Sequence, residues 1–155
     1  MNLVDELYRV AAALRAANIP YAICGGVAVT IHGATRTTKD IDVLIEARDV
    51  GPVLVAVRPL GFVYAALPMT FDAGTERERH VQRVSKLEGK EHLVLDLILA
   101  DSAFAGFLED RVDIALPDGV LTVVGRATLL KMKELAGRPQ DVADLEKLAR
   151  GDDEP

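Results

Sequence analysis

Apolar positions along the chain fall into segments of two periods, and those periods lay out the elements. Leu3, Leu7, Val10 and Leu14 recur at helical spacing, and Asn18 and Pro20 stop the helix they predict. An apolar run over 21–24 reads as a strand, and 27–32 as a short helix closed by Gly33. Residues 41–45 alternate as a second strand. Asp49 is placed to cap a helix running to Leu60, with Pro52 in its first turn and Gly61 at its end. Residues 63–74 are ambiguous, holding a strand and an irregular stretch around Pro68. Segments 80–85 and 93–99 face each other across Glu88-Gly89-Lys90 as a hairpin, and 113–116 and 120–124 do so across Pro117-Asp118-Gly119. Helices over 126–136 and 140–150, split by Gly137 and Pro139, close the pattern. The sum is an α/β (mixed α+β) class: a mixed sheet flanked by helices, one domain over 1–150, then an acidic, disordered tail over 151–155.

Strand 41–45 carries the chemistry. Side chains alternate along a strand, so Ile41, Val43 and Ile45 face a core, while Asp40, Asp42 and Leu44 face the other way. Two carboxylates side by side repel, and a cation between them relieves this. Ligands that are all oxygen favour Mg²⁺ or Mn²⁺. Gly25 and Gly26 stand ahead of Asp40 with thirteen residues between, at the junction of a strand and a helix. A glycine pair there permits a tight turn and close approach of a ligand, and the helix start favours phosphate. Metal-binding acids beside a phosphate cradle describe a site for a metal-bound nucleoside triphosphate.

The segment GGVAVTIHGATRTTKDID, from Gly25 to Asp42, resembles the signature of the polymerase-beta-type nucleotidyltransferase superfamily. It is similar to the small branch that includes the AbiEii-type toxins. That resemblance calls for a third carboxylate on a later strand, and Asp96 in LVLDLIL is the acid that fits. KELAGRPQDVADL adds Lys133, Arg138, Asp141 and Asp144 at family-like spacings, so the likeness runs from about residue 20 to 148. It implies a minimal nucleotidyltransferase fold with a C-terminal helix pair. The implied activity is Mg²⁺-dependent transfer of a nucleoside monophosphate from ATP or another triphosphate to an acceptor hydroxyl. Asp40 and Asp42 would hold two ions, and Asp96 would complete the site beside the acceptor. Gly25 and Gly26 would hold the triphosphate, with Arg36, Thr38, Lys133 and Arg138 also assigned to nucleotide. The toxin-like branch implies an RNA or protein acceptor, and an antitoxin or a second copy of the chain as partner. The alternatives are a small-molecule transferase of the antibiotic-modifying kind, and a catalytically idle fold that serves as a binding protein.

Each residue also has a plainer role open to it. Arg36 equally suits pairing with surface acids, and Lys133 an exposed helix charge paired with an acid. Asp141 and Asp144, three apart on a helix, suit a salt bridge to Arg138 or a solvated face. His32 reads as a helix-end residue, and Cys24 as a small apolar strand residue rather than a reactive thiol.

Composition narrows the partners. The chain has 155 residues, half of them apolar, and a net charge of −6, which disfavours general nucleic-acid binding by phosphate neutralisation. Five Lys or Arg between Arg77 and Lys90 are interleaved with acids, a pattern that reads as a solvated hairpin face rather than an RNA platform. One cysteine excludes an internal disulfide and suits a reducing, cytoplasmic setting. Neither a signal peptide nor a membrane span is expected from the apolar runs.

Overall fold

In the computed structural model, residues 1–31, 40–137 and 143–147 are described. Helix α1 (Leu3–Ala16) starts at Asn2, whose side chain accepts the Asp5 N–H, and ends where Asn18 enters the left-handed region at φ 57°. Strand β1 (Tyr21–Cys24) leads straight into α2 (Gly25–Ile31), and β2 (Ile41–Ile45) follows. The expected 49–60 helix is a composite. Helix α3 (Val50–Val57) is bracketed by 3₁₀ turns at Ala47–Asp49 and Arg58–Leu60, and Gly61 closes it at φ 103°. Asp49 stands at the cap position but makes no capping hydrogen bond.

The ambiguous stretch holds two strands, β3 (Phe62–Ala65) and β4 (Met69–Phe71). Strands β5 (Arg79–Glu88) and β6 (Glu91–Leu99) are longer than the periodicity suggests, so the turn shrinks to Gly89 and Lys90. Strands β7 (Val112–Leu116) and β8 (Gly119–Val123) form the second hairpin, with Gly119 inside the strand. Helix α4 (Arg126–Ala136) ends at left-handed Gly137, and 143–147 are helical.

The described strands form one mixed sheet in the order β3-β5-β6-β2-β1-β8-β7, with β4 also on β5. β2 runs parallel to β6 and antiparallel to β1. Ile41, Val43 and Ile45 join Leu95, Leu97 and Val84 in the main core, beneath Leu7, Val10 and Leu14 of α1 and Val53 and Val57 of α3. The opposite face carries a smaller cluster. There Leu44, Ala22 and Cys24 pack with Ala28, Leu129, Met132 and Phe104. Leu44, on the same face as the two acids, is therefore fully buried. Both faces of the central strands are covered, and only part of the second face stays open.

Segment 77–90 departs from the solvated face expected of it. β5 is an inner strand, and its cations Arg79, Arg83 and Lys86 each pair with an acid.

Candidate active site

The open part of the second face is where the acids meet. Asp42 of β2 and Asp96 of β6 are direct register partners on adjacent parallel strands. Fifty-four residues separate them along the chain, so the pairing of the strands is what unites them. Asp40, exposed just before β2, lines the same cavity of about 430 Å³ as Asp42, Asp96, Gly25 and Lys133.

Gly25 has φ 67°, a left-handed conformation that side chains resist, and a Cβ there would collide with the Asp42 carboxylate. The close approach expected of a ligand is thus already made by the protein's own acid. Cys24, the register partner of Asp42, is buried. Burial first, then the Asp42 charge, pushes its thiol pKa well up, so it remains an unreactive thiol.

Arg83 is the residue that sequence reasoning passed over. Its Nε donates to Asp96 Oδ1 at 2.8 Å and its Nη2 to Oδ2 at 3.0 Å, a two-pronged clamp between register partners of β5 and β6. The Asp96 hydrogen bonds, and then the charges of Asp96, Asp40 and Asp42, hold the guanidinium still more firmly protonated. One cation therefore feels all three carboxylates. The available signal was its even spacing from Val81, which places both on the cavity face, but it stood among five basic residues of mixed surroundings.

Lys133 corrects one expectation. It is 6 % exposed, and its Nζ lies 3.3 Å from Oδ2 of the fully buried Asp144. It is thus an inward charge on the cavity wall rather than an exposed helix charge, and Asp144 is among its partners. His32, Gly33, Arg36, Thr38, Lys39, Arg138, Pro139, Asp141 and the tail lie outside the described residues.

An all-carboxylate donor set suits a hard divalent ion, and the Arg83 clamp shows that this cluster draws a cation. Among the described residues, no three His, Cys, Asp or Glu side chains gather as a ready-made cage, and Asp96 faces Arg83. Also among them, no helix is long and apolar enough to cross a membrane.

The architecture around this site has counterparts among solved structures. A Thermotoga maritima protein, TM1012, provisionally described as a nucleotidyltransferase, superposes with a TM-score of 0.64 at 9% identity, over 95% of this chain and 92% of that one. The chain has the nucleotidyltransferase fold. ANT(2″)-Ia, solved in complex with adenylyl-2″-tobramycin, matches with a TM-score of 0.57 at 16% identity, over 95% of this chain and 87% of its own. JHP933 from Helicobacter pylori gives 0.53 at 16%, over 95% and 64%. No family model and no curated protein matches the sequence.

Proposed function

We propose that the protein is a Mg²⁺- or Mn²⁺-dependent nucleotidyltransferase that moves a nucleoside monophosphate from ATP or another triphosphate to an acceptor hydroxyl, breaking the α–β phosphoanhydride bond and releasing pyrophosphate. The observation that carries this is the side-by-side register of Asp42 and Asp96 in a cavity shared with Asp40 and Gly25. Divalent ions bound there supply Lewis acidity to the attacking and departing oxygens. Asp40 and Asp42 serve as their ligands, and Asp96 holds the acceptor hydroxyl's side of the site and can take its proton. The backbone of Gly25 and Gly26 holds the triphosphate, and Lys133 offsets its charge from α4. The motif between Gly25 and Asp42 favours a toxin-like role, with an RNA or protein acceptor and an antitoxin or second copy as partner.

The likeness to ANT(2″)-Ia favours, as a second reading, a small-molecule acceptor. An idle fold is disfavoured because a chain released from catalysis need not keep three acids lining one cavity.

The test is incubation with each α-labelled triphosphate, Mg²⁺, and RNA, cell protein or aminoglycoside in turn. Label on RNA or protein supports the toxin-like reading, and label on the aminoglycoside the second. No label on any acceptor would return the chain to a binding role. Asp96→Asn, its folding checked by circular dichroism, should keep nucleotide affinity yet transfer at least about 100-fold more slowly. Near wild-type transfer by that variant would remove Asp96 from the site.

A further inference from the structure

We propose that the part of the cavity beyond Asp96 is an acceptor subsite for a hydroxyl carried on a flat, apolar body without positive charge. The proposal rests on the transferase reading above and deepens it.

Strand order gives the site a direction. Gly25 follows β1, Asp42 is on β2, Asp96 on β6 and Arg83 on β5, four neighbours in sequence across the sheet. At the usual spacing between strands, the glycine end and the Arg83 end lie about 14 Å apart. A triphosphate at the glycine end leaves the Arg83 end to the acceptor.

That end is a built chamber. Val81 and Ile98 form its floor, Met69 and Phe71 of β4 one wall, and Met132 and Ala136 of α4 the other. Arg77 ties the walls together. From the β4–β5 connection, its Nη2 donates to the α4 carbonyls of Glu134 at 3.0 Å and Leu135 at 2.6 Å. Phe71 is 42 % exposed, and the Arg79 guanidinium carbon sits 5.4 Å from its ring centre. The cavity lining is about evenly polar and apolar, and at this end the exposed ring beside Met69 offers a flat partner an apolar face, to whose outline Met69 and Met132 can adapt.

Charge sets the other limit. Among the described lining residues the carboxylates are Asp40, Asp42 and Asp96, all assigned to the transfer chemistry. The other charged groups are Arg79, Arg83 and Lys133. With the three carboxylates given to the metal ions, Arg83 loses its partner Asp96 and faces the entering acceptor, so a polycation meets like charge there. The volume, about 430 Å³ for the whole cavity, is near the small end for ligand sites, so one ring and its hydroxyl are what the chamber admits.

The experiment saturates the full chain with Mg²⁺ and α,β-methylene-ATP, then titrates three hydroxyl compounds by calorimetry: 4-nitrobenzyl alcohol, 4-methoxybenzyl alcohol and tobramycin. The two flat probes should bind at least about tenfold more tightly than tobramycin. Phe71→Ala and Phe71→Leu should each weaken the flat probes at least about tenfold. Arg83→Gln should instead improve tobramycin binding. Failure to take up the magnesium nucleotide sinks the transferase reading, and this proposal with it. Uptake of nucleotide followed by a preference for tobramycin, no binding of either flat probe, or indifference to both Phe71 variants overturns the acceptor proposal alone.

Discussion

Two ion pairs on one strand, three residues apart, show how burial separates structure from function. Arg83 and Lys86 both belong to β5, and their odd separation sends them to opposite faces of the sheet. Lys86 reaches Glu6 of α1 at 2.8 Å, with side-chain exposures of 8 % and 5 %. It passes over the Phe62 ring and through space that Gly61 leaves open, since a Cβ there would sit 3.1 Å from Lys86 Cε. That pair is sealed, and it pins the first helix to the sheet. The Arg83 side chain is 43 % exposed, and its partner Asp96 opens on the cavity. Water and ligands can compete for it. A sealed pair is a fixed part of the fold, whereas an open one is exchangeable.

The largest expected effect lies on the sealed side. Lys86→Met leaves the buried Glu6 carboxylate to the distant, exposed Arg9 at 3.8 Å, and Glu6 Oε2 already has no hydrogen-bond partner among the described residues. Urea unfolding should show a loss of about 3–5 kcal/mol, largely recovered in the Glu6→Leu/Lys86→Met double variant. Nucleotide affinity of the folded fraction should not change. A loss below about 1 kcal/mol would show that the pair is wetter than its burial indicates.

Gly25→Ala probes how tightly the open face is packed at its other end. The positive φ alone should cost about 1–3 kcal/mol, and displacement of Asp42 should weaken magnesium-nucleotide binding as well. Unchanged affinity would mean that Asp42 has room to spare.

Arg83→Gln sharpens the contrast, with a smaller cost. Because the clamp is open to solvent, stability should fall by less than about 1 kcal/mol. Mn²⁺ affinity, followed by electron paramagnetic resonance, should rise once the competing guanidinium is gone. Weaker Mn²⁺ binding would show that the clamp positions Asp96 for the metal rather than contesting it.

The smallest effect comes from a third pair at the start of β5. His80 Nδ1 lies 2.9 Å from Asp101 Oδ1, and that hydrogen bond, against some desolvation, raises its pKa above the ordinary 6.5. A raised folded-state pKa means the stabilisation is complete below the unfolded value and fades as pH climbs through the folded one. The melting temperature of wild type should therefore exceed that of His80→Gln by more at about pH 5.5 than at about pH 8.5. An equal gap at both would show that the imidazole charge contributes nothing.

Much of this arrangement was legible in the chain. Ile41, Val43 and Ile45 read as a core face and are one, because period-2 alternation acts locally. Asp96 was conspicuous as an acid in an apolar strand. Leu44 was different, since its burial depends on α4 arriving from eighty residues away. Arg83 was hidden for a related reason. Its neighbours in sequence are a mixed-charge run, while its neighbour in space is Asp96. Lys133 read equally as a phosphate ligand or an exposed helix charge, because helical spacing does not reveal that Asp144 lies against it.

The sequence by itself determined most of the described elements, the glycine pair and the strand faces on which the acids stand, since backbone sterics and side-chain alternation operate over a few residues. Tertiary structure alone decided that Asp42 and Asp96 are neighbours, that Arg83 clamps one of them, and that Arg77 bridges the β4–β5 connection to α4 around a chamber. Those facts depend on which strands pair and in what register. That choice is made by burial summed over the whole sheet, and no short window of residues contains it.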